Sequence, residues 1–195
     1  ALPIYYIRED EEQRYGRNKP TQINHAYINS GEYRRKFDNL TDSKVINKLI
    51  YKNAKEMLFH RSGTMFEDMC WVSPTEEKVV YRKMDETRQR MIRVDDSIAK
   101  ILSKYSDLIP IHTHPSSFPP SPDDFNCLLN AGYKFGIIIC HDGKIFTYSS
   151  FRHVDFRLWD VYMSDLKANG YDEYDAQIEA LKIFRAANDI IFKEV

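Results

Sequence analysis

Glycine and proline are sparse, 7 and 8 among 195 residues, which excludes collagen-like and low-complexity linker compositions. Cysteine is scarcer still. Cys70, Cys127 and Cys140 are an odd number and widely spaced, so no disulfide framework is expected and a reducing compartment, the cytoplasm, is favoured. Each lies among apolar or aromatic neighbours and reads as a free, buried thiol. No apolar run approaches the roughly 20 residues that span a bilayer. The start, Ala1 to Arg8 followed by acidic residues, lacks the basic and apolar pattern of a secretory leader, so neither export nor a membrane partner is expected. A surplus of one charge is also missing: 28 Lys and Arg stand against 29 Asp and Glu, a net charge of -1. The summed field is too weak to hold a phosphate backbone, and nucleic acid is not an expected partner.

What is present is a globular composition, 43% hydrophobic and 13% aromatic, at a length that suits one domain. Residues 1–40 read as an irregular N-terminal arm with one short strand, its period broken by Pro3, Gly16, Pro20 and Gly31; the charge run Arg8 to Glu12 reads as a solvated face. Residues 41–150 read as the core. Thr41 or Asp42 can cap a helix whose Val45, Ile46, Leu49, Ile50, Ala54, Met57 and Leu58 recur at helical spacing. Residues 65–72 and 78–81 read as a strand pair. Val94, Ile98, Ile101, Leu102 and Tyr105 mark a second helix opened by Asp95 and Asp96. Leu108 to Thr113 is extended and, because of Pro110, reads as an edge or bulged strand.

Ser121-Pro122-Asp123-Asp124 then opens a helix that Gly132 closes, and Phe135 to Cys140 with Lys144 to Tyr148 makes a strand pair turned at Asp142-Gly143. Residues 151–195 read as two C-terminal helices packing on the core, separated at Gly170, the second including Ile190 and Ile191. Trp71 and Trp159 read as core. This order specifies an α/β or α+β sandwich, a mixed β-sheet flanked by helices.

The informative stretch is His112-Thr113-His114, a loop rich in Pro and Ser, and Ser121 to Asp124. Residues two apart on a strand share a face, so His112 and His114 can present both imidazoles to one point. With Ser121 as N-cap, Asp124 occupies the third helical position, one turn from Ser121 and able to reach back toward the strand end. Two imidazoles and a carboxylate leave a fourth position open, as catalytic zinc requires. Asp123 is the alternate ligand. A His-x-His alone is more often structural, and Ser-Pro-Asp-Asp alone is a good cap; their combination within 13 positions points to a metal. His25, His60 and His153 have no ligand spacing around them, His141 reads as a hairpin residue, and Ser116, Ser117 and Phe118 rim the site.

This run resembles the motif of the JAB/MPN/JAMM zinc metalloproteases: His-x-His-Pro, a short spacer, then Ser-x-x-Asp, with a catalytic Glu upstream. The likeness covers about residues 60–150 and includes the strand Leu108–Ile111 and the segment from Phe135 to Tyr148. One departure is the spacer from His114 to Ser121, six residues here where the usual pattern has seven. The resemblance implies the JAB/MPN, cytidine-deaminase-like architecture of prokaryotic or phage type. It also implies Zn2+ held by His112, His114 and Asp124, with Glu67, on a strand beside the histidines, as general base. Glu56, Glu76, Glu77 and Glu86 fit that place less well. Ser121 would join zinc in stabilising the charge on the carbonyl oxygen, and the reaction would be hydrolysis of a peptide or isopeptide bond in a protein or peptide substrate, a ubiquitin-like protein among them. Short connections and the lack of a second Cys/His cluster argue against selection of one ubiquitin-chain linkage. A catalytically silent JAB-like binding module and a DNA-repair-associated member are the alternatives.

Overall fold

The computed structural model describes residues 18–195; the charge run Arg8 to Glu12 lies outside the described residues. These residues form a six-stranded sheet and seven α-helices. The strands are β1 (Met69–Ser73), β2 (Lys78–Lys83), β3 (Ile109–His114), β4 (Gly136–Cys140), β5 (Ile145–Ser150) and β6 (Ile190–Glu194), in the order β2-β1-β3-β4-β5-β6. Only β3 and β4 pair in parallel, so the sheet is mixed. The mixed α/β class expected from the sequence is therefore present.

A 3-10 turn (Lys19–Thr21) and two short helices, α1 (His25–Ile28) and α2 (Gly31–Arg35), stand where the arm was expected to hold a strand. Ile28, Tyr33 and Phe37 are fully buried in one cluster with α3 (Lys44–Arg61), so this segment belongs to the core. The cap of α3 is Ser43, whose side chain accepts from the Ile46 amide. Thr41 instead donates to the side chain of Asn47. Ile46, Ile50, Ala54, Met57 and Leu58 recur every three or four residues and pack on Cys70, Val72, Ile109, Ile111, Ile137, Ile139 and Ile145, each large side chain contributing about 1.5–3 kcal/mol. Val45, expected on this face, is 53% exposed.

The opposite sheet face carries α4 (Asp96–Leu102), α5 (Pro122–Asn130) and α7 (Glu173–Ala186), while α6 (Phe156–Ala168) packs on α7. Phe125 and Leu128 of α5 and Leu181 and Phe184 of α7 close over Ile138, Cys140, Phe146 and Tyr148. Ile98 and Leu102 of α4 cover Trp71, which is core as expected, whereas Trp159 is half-buried. Cys70 and Cys140 are buried, but Cys127 is exposed on the outer side of α5, so the expectation of three buried thiols fails there. No helix among the described residues is long and apolar enough to cross a membrane.

Two strand expectations are corrected. β3 is central, not an edge. Pro110 is tolerated because the Thr113 amide points to Asp68; alternation turns the Pro110 nitrogen the other way, ahead of the β4 ladder, which starts at Ile111. Ile190 and Ile191 are not helical either. Asn188, at φ 59, takes the chain out of α7, and Ile190 and Phe192 are buried while Ile191 is exposed, the two-residue period of a strand.

Candidate metal centre

His112 and His114 leave β3 on the sheet face that α5 covers, since Ile111 belongs to the opposite cluster. The Nε2 atoms of His112 and His114 are 3.0 Å apart. Asp124 Oδ1 is 3.0 Å from His112 Nε2, and its Oδ2 is 3.6 Å from His114 Nε2. Ligand atoms about 2.0–2.2 Å from a tetrahedral zinc lie roughly 3.3–3.5 Å from one another, so this spacing is near what one ion requires. These three residues could hold a metal ion, and among the described residues they are the one such group. Asp123 is exposed and outside it.

His114 and Asp124 are each held from behind by hydrogen bonds. The Nδ1–H of His114 donates to the Phe118 carbonyl at 2.9 Å. A carbonyl only accepts, so this bond leaves the Nε2 lone pair of a neutral His114 free for a metal. The His112 ring stands edge-on to Tyr148, 6.4 Å between centroids, while its Nδ1 is buried without a partner among the described residues. Tyr148 folds over Gly136, where a Cβ would lie 2.5 Å from the ring. Asp124 Oδ2 accepts from the Ser121 amide and hydroxyl, both at 2.7 Å, and the Asp124 amide donates back to Ser121 Oγ at 3.3 Å. This capping box spends Ser121 on aiming the ligand. Burial pushes the Asp124 carboxyl up, but the proximity of His112, which also bonds it, that of His114 and the bond from the Ser121 amide outweigh burial and hold the group well below the usual carboxylate range.

Glu67 reaches this site from a position just before β1, which starts at Met69 and not at Met65. Met69 pairs with His112, and the tie continues one residue further, with the Thr113 amide donating to the Asp68 carbonyl and the Asp68 amide to Thr113 Oγ1, each at 3.0 Å. Alternation then places Glu67 on the face of His112 and His114. Burial pushes its carboxyl up; His114 and Arg90 pull it down and the charge of Asp124 raises it, with a balance of about 7. A carboxyl near that value can both take and return a proton at neutral pH.

Sequence reasoning missed the supports. The Asp68 side chain is fully buried on the other face and takes Arg61 Nε at 2.5 Å and His60 Nδ1 at 2.6 Å, while His60 stands outside the group that could hold a metal. Arg61 also donates to the carbonyls of Met84 and Glu86. His141 lies in the β4–β5 hairpin turn, as expected, and is also buried there, its Nδ1 bonding the Thr21 carbonyl at 2.6 Å and tying the N-terminal segment to the end of β4. None of these long-range partners leaves a local pattern. The pair His60-Arg61 at the end of a helix, seven and eight residues before an Asp, was the only signal.

No protein-family model, no curated protein and no solved structure matches the chain.

Proposed function

We propose that the chain is a zinc-dependent hydrolase of the JAB/MPN/JAMM kind, cleaving a peptide or isopeptide bond. The observation that carries this reading is the convergence of His112, His114 and Asp124 on one point, with Glu67 on the same sheet face. The helix before β1, the histidines at the end of a central strand and the capping-box Asp on the next helix agree with the arrangement that the sequence resemblance implies. Six spacer residues suffice, since the capping box closes with Ser121 as N-cap.

Zinc held there would lower the pKa of a water to about 7 and polarise the amide carbonyl. Glu67 accepts the proton of the attacking water and delivers it to the leaving amine. Ser121 steadies Asp124: its amide and its hydroxyl both donate to Oδ2, so the one hydroxyl proton serves the carboxylate and not the carbonyl oxygen of a substrate. The neighbouring Phe118 carbonyl keeps His114 in the required tautomer. The substrate that suits this chemistry is an extended peptide or the C-terminal tail of a ubiquitin-like protein.

The test is metal content by mass spectrometry on protein purified without added metal, followed by hydrolysis of peptide and isopeptide substrates. About one zinc per chain, lost in His112→Ala, supports the site. Glu67→Gln should then keep the metal and lose roughly 10²–10⁴-fold in turnover. Protein that takes up no zinc on titration rejects the enzyme reading and leaves a binding module of this shape.

A further inference from the structure

The Glu67 side chain makes no hydrogen bond among the described residues. Its backbone lies in the link between α3 and β1, outside the ladder that pairs β1 with β3 from Met69 onward. The direction of its carboxylate is therefore set by how the residues on either side of it, Phe66 and Asp68, are held. Their side chains alternate onto the opposite face of the sheet from Glu67.

One side chain on that face holds both. The guanidinium of Arg61, the last residue of α3, stands over the Phe66 ring, 5.6 Å from its centroid. Its Nε donates to the buried Asp68 carboxylate at 2.5 Å. Its Nη2 donates to the carbonyls of Met84 and Glu86, in the loop between β2 and α4, at 3.1 and 3.2 Å. These bonds fix the plane of the group, and a planar fork that also stacks on a ring is a property of Arg that Lys lacks. The buried stripe of α3 packs on β1, β3 and β4, so the grip on the two flanks of Glu67 is anchored to the strands that carry the histidines. His60 also bonds Asp68, at 2.6 Å, but its side chain is 43% exposed.

Building on the hydrolase reading, we infer that Arg61 is a positioning residue for the reaction: by holding Phe66 and Asp68 from the far face of the sheet, it aims the Glu67 carboxylate at the group of His112, His114 and Asp124, where the water is deprotonated. Arg61 touches neither the ligands nor the water, so its removal acts on the proton-transfer step and leaves metal and substrate binding in place. A proton-transferring group displaced by about 1 Å can lose on the order of 100-fold in turnover.

The experiment compares the zinc-loaded chain with Arg61→Lys and Arg61→Ala and reads zinc affinity, KM and kcat separately. Arg61→Ala should lower kcat about 100-fold with zinc affinity and KM unchanged, and Arg61→Lys about tenfold, since it keeps the charge beside Asp68 but not the fork. Guanidinium chloride, added well below the denaturing range, should restore part of the kcat of Arg61→Ala, whereas sodium chloride should not. Arg61→Ala leaves a buried carboxylate with His60 alone, so Arg61→Ala combined with Asp68→Asn, which has no lone buried charge, is measured beside it and should show the same loss. Ile50→Val, a core change in α3, should lower stability and leave kcat as it is. A readout that needs no turnover is the 13C NMR signal of the Glu67 carboxyl in the metal-free chain, which should move toward that of a hydrated Glu in Arg61→Ala and return with guanidinium. Unchanged kcat and carboxyl signal, or zinc affinity and KM that worsen in step with kcat, overturn the inference. A carboxyl signal that responds in a chain without hydrolytic activity supports the positioning role and rejects the hydrolase reading alone.

Discussion

Thr113 and Asp68 are bonded to each other twice, amide to carbonyl and amide to hydroxyl, each at 3.0 Å. Thr113 is the residue between the two histidines and Asp68 the one after Glu67, so this double tie sets Glu67 against the His112–His114 pair. Thr113→Val keeps the shape and removes the hydroxyl acceptor, which leaves the buried Asp68 amide unpaired. A loss of about 1–3 kcal/mol is expected in chemical denaturation. Zinc uptake should persist while hydrolysis falls, since the two histidines keep their places and Glu67 does not.

Ser121 serves as helix cap and as the brace on Asp124. Ser121→Ala should cost about 1 kcal/mol of stability through the lost cap. It should also weaken zinc binding roughly 10–100-fold, the usual effect of removing a group that orients a ligand. Competition with a chelator of known affinity measures the second effect separately. Unchanged zinc affinity would mean that Asp124 is held without the hydroxyl.

Gly136 is where β4 makes room for Tyr148, with a built Cβ 2.5 Å from the ring. Gly136→Ala must push the ring toward His112 and Phe125, both in edge contact with it. A destabilisation of about 1–3 kcal/mol is expected from the overpacking, together with weaker zinc binding. Shortening the ring as well, in Gly136→Ala with Tyr148→Leu, should recover part of the stability, and failure to do so would place the strain elsewhere.

Glu86 gives the β2–α4 loop a defined acid limit. Burial pushes its carboxyl up, but the bonds from the Arg93 side chain and from the Arg93, Thr87 and Arg88 amides outweigh it, and the group falls from 4.5 to about 2. A carboxyl whose value is lowered by folding contributes stability above its unfolded value and loses it as pH falls through the folded one. The contribution should therefore be complete above pH about 4.5 and vanish toward pH about 2, at most about 3 kcal/mol. Denaturation curves of Glu86→Gln should lack this slope. Equal slopes in both proteins would show that the clasp is not formed in solution.

The three residues that could hold a metal and most elements were legible from local pattern because their causes are local. Two-residue alternation puts His112 and His114 on one face, and a Ser-Pro-Asp-Asp run dictates a cap with Asp124 turned back upon it. The Asp142-Gly143 turn and the helix break at Gly170 are of the same kind, both glycines taking φ near +90. The apolar triplet at Ile190 fits a helix and a strand equally well, and only the free edge of β5 decided for the strand. Pro110 misled for a related reason: which side of a strand its nitrogen faces depends on the neighbours, and those are chosen by the fold.

The sequence by itself determined a mixed α/β chain with two imidazoles and a capped carboxylate in chelating order, since these follow from periods of 2 and 3.6 residues and from capping chemistry. The tertiary structure alone decided what surrounds them. Asp68 meets Thr113 across 45 positions, Arg61 reaches the β2–α4 loop, and the Arg90 amide pairs with Met65, two residues before Glu67. Burial, which raises the Glu67 carboxyl, and the pairing that aims it are sums over chain segments far apart, and no local pattern contains such a sum.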